Sequence, residues 1–379
     1  MRIANFTDSF LPNVNGIAIS ISNSTRKLAE KGHVIKIFTS KIKGYADHNL
    51  GKNISVERFN YFKLRRWGNF YQFALPSKPD IMKSIDEFKP DIIHIHSPSI
   101  IGWQALSYAK KNNIPVVATY HAYLEGLAGH LPFLLRKFVT ASVKLLRRYT
   151  RSFFNKSDVV IAPSKFIKDY LIKNGVIKRI EIISNGVDTK VFKPGKISKS
   201  GKNVLHVGRI SYEKNVDVLL KSFSLASRYV SGLNLKIVGP GNEIQKLKEL
   251  AKSLKLDNVS FLGKVEYRKL PEIYSKADMF VTASTAETEG LVILEAMASG
   301  LPVVGFDSVS LPYLVKNGKT GLLAKPYDEE GMARCLARIM TDSRLRREFS
   351  KNALEHSKIF SLDRNVGILE RLYKRLARI

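Results

Sequence analysis

Short apolar runs recur along the whole chain, and longer stretches with helical spacing separate them. Residues 2–7, 34–39, 54–59, 91–96, 115–121 and 158–162 read as strands in the first half. Residues 203–209, 235–238, 259–263, 279–283 and 302–306 read as strands in the second. Their near-continuous Val and Ile content is the pattern of strands buried on both faces, as in parallel sheets. Between them the apolar positions move to helical spacing. One helix is predicted from about Ile17 to Lys31, ended by Gly32-His33, and another runs from Pro163-Ser164 to about Asn174. Ser211-Tyr212-Glu213-Lys214-Asn215 opens a further helix. Strand and helix alternate throughout, which predicts two parallel-sheet α/β domains.

Length and composition agree with that picture. The 379 residues suffice for two domains of ordinary size, and 44% hydrophobic content is normal for a globular chain. One cysteine, Cys335, excludes an intrachain disulfide and fits an intracellular protein. The first eight residues read as a strand rather than a cleaved leader, and no apolar run is long enough to span a bilayer.

Charge changes the picture more. The net charge is +29, from 62 basic and 33 acidic residues. Residues 1–188 hold 29 bases and 13 acids and the remainder 33 and 20, so no tail is responsible. Such a balance favours an anionic partner (a phospholipid surface, nucleic acid or an acidic polysaccharide), the other reading being a generally Lys-rich proteome. Residues 61–73 interleave aromatics with Lys63, Arg65 and Arg66. That composition suits a membrane interface, single-stranded nucleic acid, or a core-packing loop with snorkelling bases. Phe133–Phe154 carries Arg136, Lys137, Lys144, Arg147, Arg148 and Arg151 and no acid. Leu134, Phe138, Ala141, Leu145 and Tyr149 follow a near-helical spacing there. This reads as a membrane-surface helix, or as a domain helix whose basic side is solvated.

Candidate chemistry gathers at loop-to-helix junctions. Glu287 lies in a Ser/Thr/Ala-rich loop, and Glu295 lies about a turn into the helix that follows. Gly290 and Leu291 stand between them, where unpaired N–H groups and a positive dipole end suit phosphate. Ionised carboxylates there would accept hydrogen bonds from sugar hydroxyls; the spacing fits equally a capped helix with one surface and one packed Glu. Arg209 and Lys214 stand five apart across a strand–helix turn, where two bases would clamp a diphosphate. Gly16 ends the loop after the first strand, where it either permits close backbone approach of a ligand or belongs to an ordinary βα turn. No Gly-x-Gly-x-x-Gly occurs, so this is not the dinucleotide fingerprint. His121 closes its strand at the carboxyl end, where open α/β sheets bind ligands. His94 and His96 share one strand face, and with no acidic or Cys partners they read as core or cleft-edge residues rather than metal ligands.

The run from Glu287 to Glu295 resembles the Glu-x7-Glu motif of the retaining glycosyltransferases of family 4, which have the GT-B fold. Further matches are Gly16, Thr119-Tyr120-His121, Asn185-Gly186-Val187-Asp188 and Gly208-Arg209 with Glu213-Lys214-Asn215. The resemblance therefore covers nearly the whole chain. The Glu-Thr-Glu-Gly-Leu variant is similar to several diacylglycerol glucosyltransferases. The resemblance implies an α/β chain of two Rossmann-like domains facing a central cleft. Residues 1–190 would be the acceptor-binding domain and 191–361 the nucleotide-sugar-binding domain, joined by a linker around 193–202. A helix over 362–379 would pack back on the first domain. Glu287 and His121 would contact the donor sugar, and Glu295 the ribose hydroxyls. Arg209 and Lys214 would neutralise the leaving diphosphate. Gly16, Gly290 and Leu291 would lie beside sugar and phosphate.

The resemblance further implies a nucleotide-diphospho-sugar donor, a UDP-sugar foremost, and no metal; no Asp-x-Asp triplet occurs. Together with the charge, it points to a hexosyltransferase acting on a membrane lipid such as diacylglycerol. That enzyme would be cytoplasmic, peripheral on the inner face of the cell membrane, at an anionic surface and without nucleic acid. The alternatives are a soluble or cell-surface saccharide acceptor, and a basic nucleic-acid-binding protein on an inactive scaffold.

Overall fold

The computed structural model describes residues 1–13, 15–42, 45, 50–66, 69–121, 133–195 and 202–379. Side chains of 62–66, 69–72 and 133–143 lie outside that description, as do Trp67 and Gly68 of the aromatic–basic stretch and 196–201 of the expected linker. The chain divides into two compact units. One comprises Met1–Ala122, Lys137–Asn185 and Leu362–Ile379, and the other Tyr123–Arg136 and Gly186–Ser361.

The first unit opens with β1 (Arg2–Phe6), α1 (Gly16–Glu30), β2 (Val34–Ser40) and β3 (Ile54–Phe59). An antiparallel hairpin follows, β4 (Tyr61–Arg66) with β5 (Asn69–Ala74). Then come α2 (Lys78–Phe88), β6 (Ile92–Ile95), α3 (Ile100–Lys111) and β7 (Val116–Thr119). The chain continues through α4 (Phe133–Phe154), β8 (Val159–Ala162), α5 (Lys165–Lys173) and β9 (Arg179–Ile182). Seven strands form one parallel sheet in the order β3-β2-β1-β6-β7-β8-β9. The hairpin is a separate two-stranded sheet, paired antiparallel from Tyr61 with Ala74 to Arg66 with Asn69.

The second unit holds β10 (Asn203–Val207), α6 (Val216–Ser227), β11 (Asn234–Val238), α7 (Ile244–Ser253), β12 (Val259–Gly263) and α8 (Leu270–Ser275). After these come β13 (Met279–Thr282), α9 (Leu291–Ala298), β14 (Val303–Phe306), α10 (Leu311–Leu314) and β15 (Gly321–Ala324). Helices α11 (Glu329–Thr341) and α12 (Ser343–Ser357) complete it, and α13 (Leu362–Ala377) returns to the first unit. Its parallel sheet has the order β12-β11-β10-β13-β14-β15. Alternate strand residues face opposite layers. Val204, Ile237 and Met279 therefore join one apolar cluster with α6 and α11, and Leu205, Val238 and Phe280 join another with α8 and α9. In the first unit, Leu362, Val366, Leu369 and Tyr373 of α13 pack with Ile3, Ile35 and Ile21.

In both sheets the strand order reverses beside the unit's first strand, between β1 and β6 and between β10 and β13. Crossovers run to opposite sides there and leave a crevice at the carboxyl strand ends, which is where doubly wound sheets bind ligands. Among the described residues, no helix is long and apolar enough to cross a membrane.

Candidate active site

The second unit's switch point brings together residues far apart in sequence. The segment after β10 contains Arg209 and Lys214, and the segment after β13 contains Ser284 and Glu287. Lys214 does not lie on the first turn of the α-helix, as its spacing predicts. It ends a separate 3-10 turn, Tyr212–Lys214, because Asn215 takes a left-handed φ of 48° and breaks the path into α6. Asn tolerates that conformation, and here its side chain has a second task. Asn215 Nδ2 donates to the Ala283 carbonyl at 3.0 Å and to Thr285 Oγ1 at 3.2 Å, tying the two loops together.

Lys214 Nζ thereby meets Glu287 Oε1 at 2.5 Å and Ser284 Oγ at 3.4 Å. Both side chains of the ion pair are largely buried, 15% and 13% exposed. Burial pushes the Glu287 carboxyl up, but the Lys214 ammonium and the Ser284 hydroxyl outweigh it and hold the group below its ordinary value. Ser310 Oγ donates to the Glu287 carbonyl at 2.9 Å and fixes the loop backbone. His206, one strand residue behind, is neutral: burial takes it down to about 4, and its Nδ1 donates to the Val281 carbonyl at 2.9 Å.

Arg209 is exposed. Its backbone is held by the turn after β11, where Gly208 N donates to Val238 O at 2.9 Å and Ile210 N to Pro240 O at 2.8 Å. A Cβ on Gly241 would come within 1.8 Å of Ile210 O, so this close approach of two loops requires glycine.

Gly290 caps α9 with a φ of 87°, and a Cβ there would reach Ile293 Cδ1 at 2.7 Å. Leu291 follows as the first helical residue, with its N–H at the positive end of the helix. Glu295, one turn on, is buried at 3% exposure. Burial pushes its carboxyl up to about 7, against the hydroxyls of Tyr274 and Tyr267. Tyr274 was not singled out in the sequence. It lies 21 residues before Glu295 in a segment with no motif, so only packing identifies it. Ser284 and Ser310 are likewise supporting residues that residue type alone does not single out, whereas Asn215 belongs to the matched Glu213-Lys214-Asn215 run.

Gly16 and His121 belong to the first unit. Gly16 opens α1, and Asn15 caps that helix by accepting from Ala18 N at 3.0 Å. His121 Nε2 lies 3.1 Å from His96 Nδ1, and the two rings stack at 5.4 Å. His96 packs on His94 at 4.0 Å, and His94 reaches Thr119 Oγ1 at 2.6 Å and the Tyr373 hydroxyl at 2.5 Å. Burial lowers all three imidazoles, His94 to about 3, His121 to about 4 and His96 well below the usual value, so the stack is neutral. Ser20, Ser24, Asn185 and Asn365 line a hollow with these histidines, and Ser20 Oγ donates to Asn185 Oδ1 at 2.6 Å.

On α4, Lys144, Arg148 and Arg151 are exposed, and so is Leu145 at 71%. Tyr149 accepts from Trp103 Nε1 at 2.7 Å. Arg136, Lys137, Leu134, Phe138 and Ala141 of the expected amphipathic pattern lie outside the described side chains.

Two family models match the chain. "Glycosyltransferase Family 4" matches residues 14–191, and "Glycosyl transferases group 1" matches residues 187–356. The chain is 31% identical to an alpha-monoglucosyldiacylglycerol synthase of Streptococcus pneumoniae, over 88% of this chain and 77% of that protein. It is 30% identical to a GDP-mannose-dependent alpha-mannosyltransferase of Corynebacterium glutamicum, over 91% and 82%. The solved sucrose-phosphate synthase of Thermosynechococcus elongatus superposes with a TM-score of 0.82 at 21% identity, covering 99% and 98% of the two chains.

Proposed function

This chain belongs to the family 4 glycosyltransferases and has their GT-B fold, and from that premise we propose that it transfers a hexose from a nucleotide-diphospho-sugar to a membrane lipid of the diacylglycerol type, with retention of anomeric configuration. The observation that carries the reading is the Lys214–Glu287 ion pair at the switch point of the second sheet. An ammonium has three N–H donors. Two are directed to Glu287 and Ser284, and the third is left for a diphosphate oxygen.

In this reading Lys214 and Arg209 neutralise charge developing on the leaving diphosphate, which lowers the barrier by electrostatic stabilisation. No metal is invoked. Glu287 orients Lys214 and receives a hydroxyl of the donor sugar. The N–H groups of Gly290 and Leu291 face phosphate, and Glu295 accepts from the ribose hydroxyls. We take the donor to be a UDP-sugar and give Gly16 and His121 parts in positioning it. A front-face return through an oxocarbenium-like state requires no covalent nucleophile, so none is named.

Two features support a lipid acceptor. One relative's name is that of a glycolipid synthase. The exposed side of α4 combines Leu145 with Lys144, Arg148 and Arg151, a composition suited to an anionic bilayer surface. Peripheral attachment at the cytoplasmic face is part of the same proposal. The test is nucleotide release from UDP-, GDP- and ADP-sugars, with and without anionic vesicles carrying diacylglycerol. Vesicle-dependent release with an α-linked glycolipid product is the expected result. Release that ignores vesicles would move the acceptor to a soluble or cell-surface saccharide. No release from any donor would overturn the transferase assignment of these residues.

A further inference from the structure

The turn that ends α5 leaves two isoleucines in solvent beside the basic helix. Gly175 N donates to Ile172 O at 3.0 Å and Val176 N to Leu171 O at 3.0 Å, with Gly175 at a φ of 83°. This is a Schellman ending, which normally buries an apolar pair across the turn. Leu171 and Val176 are that pair, at 2% and 6% exposure. Ile172 and Ile177, one position further on in each case, are turned outward at 54% and 84% exposure. The helix ending needs neither of them.

The turn is locked to the end of α4. Asn155 Nδ2 donates to Gly175 O at 3.0 Å, and Ile177 N donates to Asn155 Oδ1 at 2.9 Å. The side chain of Arg151 lies over Gly175, where a Cβ would meet Arg151 Cδ at 2.9 Å. Ile177 is thus held on a rigid support and continues the surface bearing Arg151, Arg148 and Lys144. Residues 144–182 contain ten bases and three acids. The acids are engaged: Asp158 with Lys110, Asp169 with Lys165, and Glu181 with Arg179 and Arg375. A second copy of so basic a face would be repelled. An anionic bilayer matches both the charge and the exposed apolar groups.

We propose that Ile172 and Ile177 form an apolar wedge that enters the lipid interface, while the bases of α4 supply the electrostatic attraction. This deepens the membrane-lipid reading and rests on it. The two contributions separate by salt, because screening weakens attraction between charges and leaves apolar burial intact.

The test uses the full chain and phosphatidylcholine vesicles with or without phosphatidylglycerol. Ile172→Ser with Ile177→Ser should weaken binding to the anionic vesicles about tenfold or more, by the same factor at low and high salt. Lys144→Glu with Arg148→Glu should weaken it strongly at low salt and little at high salt. In a Cys335→Ser background, Ile177→Cys carrying an environment-sensitive fluorophore should brighten on binding and be quenched by acyl-chain-labelled lipid. Binding without brightening would overturn the wedge and leave the membrane reading standing. No vesicle binding at all would overturn both.

Discussion

The hydroxyl of Tyr274 donates to Oε2 of Glu295 at 2.9 Å, and both groups are buried. The same hydroxyl lies 3.2 Å from the Val292 carbonyl of the first turn of α9. Phe192 and Phe280 hold its ring at 5.6 and 6.1 Å. Glu295 is therefore aimed from a packed aromatic platform, with its carboxyl pushed up to about 7.

Donor binding should follow that carboxyl. Only the ionised form accepts hydrogen bonds with both oxygens. KM for the donor should rise as pH falls below about 7. Tyr274→Phe removes a bond that favours the ionised form, so the rise should begin at higher pH, with kcat above it little changed. A donor KM that is flat across this range would remove Glu295 from the ribose site.

Stability should move with the same group. The folded value of about 7 exceeds the ordinary 4.5, so between these values the folded state holds a proton that the unfolded chain has lost. The contribution is complete below 4.5 and is lost as pH rises through 7. Glu295→Gln should then stabilise the protein at pH above 7, on the order of 3 kcal/mol, and hardly at all near the ordinary carboxyl value. Melting temperatures of both forms across this range decide it. A gain that grows towards acid would mean an ionised Glu295.

Lys214 and Glu287 should prove coupled. Lys214→Ala strands a largely buried carboxylate, at a cost on the order of 3 kcal/mol. Lys214→Met combined with Glu287→Gln should recover most of that loss. Neither the single nor the double variant should transfer sugar at more than about a hundredth of the wild-type kcat/KM. Denaturation and initial rates on the same preparations separate the two effects. An active Lys214→Ala enzyme would end the diphosphate assignment.

The histidines should not supply the acid limb. A limb near neutrality usually suggests imidazole. Here His94, His121 and His206 are all held at about 4 or below, and His96 well below its usual value. His121→Gln should lower the transfer rate and leave the limb where it was. A limb that disappears with His121 would assign it to that imidazole instead.

The doubly wound character of both halves was legible in the chain. Buried parallel strands must be apolar on both faces, so their runs stand out, and glycine or polar residues mark their carboxyl ends. Residues 91–96 and 279–283 are strands within a residue or two of where their apolar runs lie. The β4–β5 hairpin was not legible, because its interleaved aromatics and bases fit several environments equally well. The 3-10 turn at Lys214 was hidden for a local reason: Ser-Tyr-Glu-Lys-Asn has the composition of a helix start, and only the left-handed Asn215 separates the two.

Spacing at loop-to-helix junctions made Glu287, Glu295, Arg209 and Lys214 candidates, and the resemblance to the family 4 motifs selected them. Tertiary structure decided what each of them touches. The Lys214–Glu287 pair spans 73 residues and exists because β10 and β13 are neighbours at the switch point. The Tyr274–Glu295 bond exists because α8 and α9 pack on the same sheet face. Protonation followed from that packing as well. Burial raises one carboxyl to about 7, while a buried lysine holds the other below its ordinary value. A sequence names the titratable groups, but the dielectric and the partners that set their charge come only from the folded surroundings.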